Sequence, residues 1–151
     1  MGSLLFGLIS LLTVQLTVTE GHVVRTRSVI ELVGMLRCST GRSISYLTYG
    51  CYCGIGGRGW PRDKTDWCCY THDCCYGKAE DIGCHPKTDS YSWSCRYFTP
   101  RCGNIYDECE KMICDCDVQL SKCLKKAVYQ RKYSFWPNFL CGRYRPSCSN
   151  F

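Results

Sequence analysis

The stretch Cys68-Cys69-Tyr70-Thr71-His72-Asp73-Cys74-Cys75-Tyr76 decides how the chain is read. It sets one His-Asp pair between two pairs of adjacent cysteines. On a helix those cysteines would clamp the backbone on both sides of His72, and rigid support of this kind is what a positioned general base requires. A core histidine satisfied by one neighbour would not need four cross-links. The chain has no Gly-x-Ser-x-Gly elbow, and its 16 cysteines can all pair, so neither a serine nor a thiol nucleophile stands out. A His base without a side-chain nucleophile points to activated water. Zinc is the weaker alternative, because cysteines in an oxidising compartment bridge rather than bind metal.

The composition around this stretch agrees. Sixteen cysteines in 151 residues are roughly a tenth of the chain, above the about 8–10% that marks a disulfide scaffold. The length suits one domain. A 45% hydrophobic and 13% aromatic content excludes disorder, and so many thiols exclude a cytosolic enzyme, which would keep them reduced. No apolar run reaches the length of a mature membrane span. Leu4 to Leu12 suits the core of a signal peptide, so residues 1–21 are expected to be a secretory leader.

His22–Arg27 follows, with Arg25 and Arg27 flanking a Thr. It reads as a short propeptide cut after Arg27, or as solvated charges ahead of a helix, and the residues alone leave the two even. Cleavage there would give a domain of residues 28–151 holding every cysteine, with 17 basic and 12 acidic residues, net +5. The densest basic stretch, Lys122, Lys125, Lys126, Arg131 and Lys132, reads first as a solvated helix face and only second as a polyanion-binding patch. No nucleic-acid-reading motif is present, so nucleic acid is not an expected partner.

Periodicity places an amphipathic helix over Val29–Cys38, with Ser28 as its N-cap. Two longer helical segments are expected over Asp66–Lys78 and Asp107–Lys126. Thr88–Cys102 alternates aromatic and polar residues as a small β-hairpin does. The tail from Trp136 reads as loop pinned by Cys141 and Cys148. Tyr49–Pro61 is a loop dense in glycine that lacks the Lys-Ser/Thr of a phosphate loop. Glycines let backbone carbonyls converge, and Ca²⁺ takes such oxygens together with a carboxylate, for which Asp73 is a candidate.

Together, Tyr49-Gly-Cys-Tyr-Cys-Gly-Ile-Gly-Gly57, Asp66-Trp-Cys-Cys69, His72-Asp-Cys-Cys-Tyr76 and Cys114-Asp-Cys-Asp117 resemble the secreted phospholipase A2 family, along the whole of residues 28–151. The resemblance implies a mainly α, disulfide-rich fold: an N-terminal helix, a calcium loop, two long antiparallel disulfide-linked helices and a small β-hairpin. It implies the pairs Cys38–Cys95, Cys51–Cys141, Cys53–Cys69, Cys68–Cys123, Cys74–Cys148, Cys75–Cys116, Cys84–Cys109 and Cys102–Cys114. The first and fifth of these are extra bridges of two different subgroups; a chain with both, and with the Arg-Thr-Arg27 segment, is similar to a subgroup made with a propeptide.

The resemblance also implies roles. Ca²⁺ would be held by the carbonyls of Tyr52, Gly54 and Gly56 and the carboxylate of Asp73. His72 would take a proton from water while Asp117 fixes its other ring nitrogen, and the Gly54 N–H would meet the oxyanion. Tyr76 and Tyr91 would hydrogen-bond the Asp. Val29, Leu32 and Leu36 would line an acyl channel, or each serve as ordinary core. The modest charge suggests docking on a phospholipid surface through Trp93, Trp60 and Ile55 with Val29, rather than through the Lys122–Lys132 cluster. Trp67 stands where many relatives carry Arg, and nothing in the sequence explains it.

Two function classes follow. One is a secreted, extracellular, calcium-dependent esterase cleaving the sn-2 acyl bond of phospholipids, expected to be a monomer, with a phospholipase A2 receptor as an open additional partner. The other is a receptor-binding or toxin-like protein on the same scaffold without turnover. Such relatives lose the His, the calcium Asp or the loop glycines, all of which are present here.

Overall fold

The computed structural model describes residues 27–150. The expected leader, 1–21, and the propeptide up to residue 26 lie outside the described residues. Three helices dominate: α1 (Arg27–Thr40), α2 (Lys64–Asp81) and α3 (Glu108–Lys126). Between the last two lie strands β1 (Trp93–Arg96) and β2 (Thr99–Cys102), an antiparallel pair with Trp93 opposite Cys102 and Arg96 opposite Thr99. Among the described residues no helix is long and apolar enough to cross a membrane.

Local chemistry sets the ends of these elements. Asp63 accepts the Asp66 N–H at 2.9 Å, so α2 starts two residues earlier than the periodicity suggests. Gly83, at φ 89°, stops it, and Gly83 and Cys84 donate back to Glu80 and Ala79. Asp107 lies outside α3 as its N-cap, accepting from Glu110 at 2.9 Å.

Two expectations are corrected. Ser28 is not the cap of α1: the helix already includes Arg27, and the buried Ser28 hydroxyl donates instead to the Pro86 carbonyl. The hairpin is shorter than Thr88–Cys102, because Thr88 and Asp89 turn back onto the His85 carbonyl and pairing begins only at Trp93.

The core has two parts. One packs Leu36, Tyr46, Tyr49, Tyr52, Tyr70, Leu120 and Leu124 with half-cystines between α1, α2, α3 and the glycine loop. The other gathers Met35, Ala79, Tyr91, Ile113 and Cys114, with Trp93 against it. Tyrosine and cystine thus replace much of the aliphatic side chain of an ordinary core. The eight bridges are those the family implies, and no described cysteine is free. Cys68–Cys123 and Cys75–Cys116 join α2 to α3 at two levels; a rise of seven on one helix meets a fall of seven on the other, so the helices run antiparallel.

The loop is also tied from beneath. Asp66, fully buried, accepts the N–H groups of Cys51, Tyr52 and Arg62, each at 2.8 Å. The loop's other end is fixed where the Trp60 N–H donates to Cys141 O at 2.9 Å. Here Gly59 sits at φ 71°, and a Cβ would overlap the Cys141 carbonyl, a backbone atom with no freedom to move because Cys141 is bridged to Cys51. Left-handed strain alone costs about 1–3 kcal/mol at a non-glycine residue, and the overlap adds to it. Gly59→Ala is therefore expected to lower stability by more than about 2 kcal/mol in non-reducing thermal denaturation; an unchanged midpoint would show that the loop does not need glycine there.

Candidate active site

Helix α2 presents two working faces. Cys68, His72 and Cys75, spaced four and three apart, share one face, and the outer two are bridged to α3. Cys69 and Asp73, four apart, share the next. Cys69 is bridged to Cys53 of the glycine loop, so this face meets the loop. Consecutive residues on a helix point about 100° apart, which sends His72 toward α3 and Asp73 toward the loop.

On the α3 face, His72 Nε2 lies 2.6 Å from Asp117 Oδ1. Asp117 is fully buried. Tyr76 Oη donates to the same oxygen at 2.8 Å, and Tyr91 Oη donates to Oδ2. An ionised carboxylate only accepts, so Nε2 carries the proton and the lone pair resides on Nδ1. Nδ1 has no hydrogen bond among the described residues. Burial, reinforced by the Asp117 charge, pushes both tyrosine hydroxyls far above their ordinary range, so both remain donors. The three donors offset the desolvation of the carboxylate, and the imidazole is held in the tautomer whose basic nitrogen is Nδ1, on the side away from Asp117. This arrangement can take a proton from a water molecule and return it.

On the loop face, a Cβ at Gly57 would lie 2.8 Å from Asp73 Oδ2, so the carboxylate rests directly against the loop. Burial raises the Asp73 carboxyl from 3.8 to about 6, against the opposing pull of His72 and Arg145. Gly54 and Gly56 have φ of 119° and 81°, and a Cβ on Gly54 would overlap the Leu47 carbonyl. Only glycine fits that turn. A desolvated carboxylate set against a glycine-rich loop offers hard oxygen donors, the chemistry suited to Ca²⁺.

The remaining expected residues are spread more widely. Val29 is 42% exposed, Leu32 is partly buried, and Leu36 lies within the first core cluster beside Tyr46. Ile55 is fully exposed, and Trp60 is half exposed, with its ring edge-on to Trp67 at 5.6 Å. Trp67 thereby gains a role in packing, between Trp60 and Tyr70.

Trp93 is partly buried: one edge of its indole lies against α1, where a Cβ at Gly34 would come 2.7 Å from Cζ2, and it packs on the second core cluster. Leu47 and Phe135, which carry no periodic signal in the sequence, flank Ile55 and Gly56 around an open cleft of about 320 Å³. Asp66, the anchor of the loop, was quoted within a motif but given no role by sequence reasoning; an Asp just after an Asp-Lys-Thr cap is hard to tell from one more first-turn carboxylate.

With this geometry in place, comparison with known proteins is direct. The phospholipase A2 family model matches residues 29–134, a span holding the glycine loop, His72, Asp73 and Asp117. A group 10 secretory phospholipase A2 of Mus musculus is 47% identical over 131 residues, covering 86% of this chain and 86% of the mouse protein. The human protein of that name is 46% identical over 126 residues, covering 83% of this chain and 76% of its own. A phospholipase A2 of Meiacanthus atrodorsalis is 51% identical over 124 residues, 82% of this chain and 81% of its own. On the family match and on these identities across most of its length, the chain belongs to the phospholipase A2 family.

Proposed function

We propose that this chain is a secreted, calcium-dependent phospholipase A2 that hydrolyses the sn-2 ester of glycerophospholipids, phosphatidylcholine included, at a membrane surface. The observation that carries this reading is the His72–Asp117 pair, supported by Tyr76 and Tyr91, one residue away from a carboxylate facing the glycine loop. Nothing in the site favours a receptor-binding protein without turnover.

Asp117 holds Nε2–H, and Nδ1 takes the proton of a water as that water attacks the ester carbonyl carbon. The imidazolium, stabilised by Asp117, then returns the proton to the departing glyceryl oxygen. The Gly54 N–H would donate to the oxyanion. Asp73 and the carbonyls of Tyr52, Gly54 and Gly56 would hold the calcium ion. Calcium supplies, when bound, positive charge that stabilises the oxyanion and the phosphate. Val29 and Leu32 serve the channel entrance, while Leu36 belongs to the core behind it. Ile55 and Trp60, with Leu47 and Phe135, give an exposed apolar rim suited to a lipid surface.

Loss of the base should cost turnover without cost to the fold: His72→Gln keeps its bridges and melting temperature and loses at least about 10²-fold in kcat. Turnover within a few-fold of the parent would remove His72 from the mechanism.

Calcium binding should follow the Asp73 carboxyl. Its folded pKa is raised from 3.8 to about 6, and only the ionised form binds the ion. Affinity is then full above about pH 7 and falls about tenfold per unit below 6. The sign for stability is opposite in the ion-free protein, where a raised carboxyl pKa weakens the fold as pH rises from 3.8 through about 6. Calorimetric titration with calcium across this range tests both, with Asp73→Lys as the non-binding control; a flat affinity profile would sink the assignment.

The form retaining His22–Arg27 should be less active on vesicles than the chain starting at Ser28, because Ser28 is buried and any residues before it must exit beside the start of α1. Equal activity of the two purified forms would reduce Arg25 and Arg27 to solvated charges.

A further inference from the structure

The tip of the hairpin is built against local preference. Arg96 pairs with Thr99, so Tyr97 and Phe98 alone make the turn, at φ 49° and 57°. A two-residue turn with both φ positive matches the twist of the strands, and Asn-Gly is the pair that makes it without strain. Aromatic residues adopt it reluctantly, and here the rings gain no packing in return: Tyr97 is 95% exposed and Phe98 74%. Lys125 of α3 donates to the Phe98 carbonyl at 3.0 Å, fixing the tip to the end of that helix. The surroundings are mainly cationic, with the exposed carboxylate of Asp115 lying at the Cys102 end of the hairpin, away from the tip. Arg96 and Arg101 on the hairpin and Lys122, Lys125 and Lys126 on α3 are all exposed, and neither Trp93–Cys102 nor Val118–Lys126 contains an acidic residue.

We propose that this tip is a second lipid-contact site, specific for anionic bilayers and separate from the rim around the glycine loop. Two rings projecting without a groove suit the interfacial zone of a bilayer, where aromatic side chains settle, and a cationic collar suits an anionic surface. A sulfated polysaccharide would use the cations and leave the rings idle. The Cys38–Cys95 bridge and the Lys125 contact seat the hairpin on α1 and the end of α3, and no hairpin residue lines the cleft between Leu47, Ile55, Gly56 and Phe135, so the two contacts are distinct. The proposal does not depend on turnover at His72.

The test is sedimentation of the protein with vesicles in excess chelator, where no hydrolysis intervenes. Replacing the tip by Tyr97→Asn with Phe98→Gly should hold or raise thermal stability. Binding to vesicles of phosphatidylserine with phosphatidylcholine should fall about tenfold or more, while binding to phosphatidylcholine alone stays within about twofold of the parent. Arg96→Glu with Arg101→Glu should give the same selective loss, and Phe98→Ser alone reads the same quantity if the paired change does not fold. Parent-like binding of these variants to anionic vesicles would overturn the proposal. So would an equal loss on both vesicle types, or a loss seen only on immobilised heparin, which would mark a polysaccharide site.

Discussion

The rotational setting of α2 is the constraint on which the rest of the site depends. Its two pairs of adjacent half-cystines tie it to α3, the glycine loop and the C-terminal tail at once. A roll of roughly 30° would carry a side-chain tip by about 3 Å, and about 1 Å of misplacement can cost on the order of 10² in rate. Four bridges to three different elements leave no such roll available. Because His72 and Asp73 are neighbours in sequence, fixing one angle aims both the base and the cation ligand, and no other element has to be adjusted to bring them into register.

The second dependence is electrostatic. Burying the Asp117 carboxylate costs several kcal/mol unless hydrogen bonds replace water, and here His72, Tyr76 and Tyr91 replace it from three directions. Each donor comes from a different setting: one from the α3-facing side of α2, one a turn further along that helix, one from the segment before β1. The same strategy recurs at Asp66, where three backbone N–H groups neutralise a buried carboxylate and draw the loop onto the first turn of α2. Two buried anions, each fully engaged, thus organise the two halves of the site from below. Asp73 differs because its carboxylate is desolvated yet meets no comparable set of donors among the described residues, which is consistent with the cation-binding role proposed for it.

Much of this was legible in the sequence because the informative residues are local. Cys68-Cys69, His72-Asp73 and Cys74-Cys75 lie within one short run, and helical spacing alone puts His72 between Cys68 and Cys75. The cysteine pairing was legible only through the family resemblance, since spacing cannot choose among so many connectivities. What stayed hidden was long-range. Ser28 reads as a cap until Pro86, on a loop after α2, is known to receive its hydroxyl. The contact of the Trp93 indole with α1 depends on Gly34, far away in sequence, which leaves room for the ring. Leu47 and Phe135 carry no period because they sit in irregular chain, and long-range bonds such as Phe135 N–H to Thr48 O and Gly50 N–H to Tyr133 O bring the two segments together.

Helix α2 has little claim to exist by itself. Its sequence is rich in Cys, Asp, Thr and Tyr, with Gly77 in open space in its last third, all modest or poor helix formers. Isolated helices of this length are marginal even in favourable sequences, so its order is borrowed from bridges that close across as many as 74 positions of chain. A thiol-reducing cytosol withholds those bridges. The newly made polypeptide would therefore carry every residue of its lipid-cleaving apparatus past the cell's own membranes in unassembled form, and oxidation on the export route would complete it. Redox compartment then acts as a safety catch, set by the helix's own weakness and independent of any inhibitory segment.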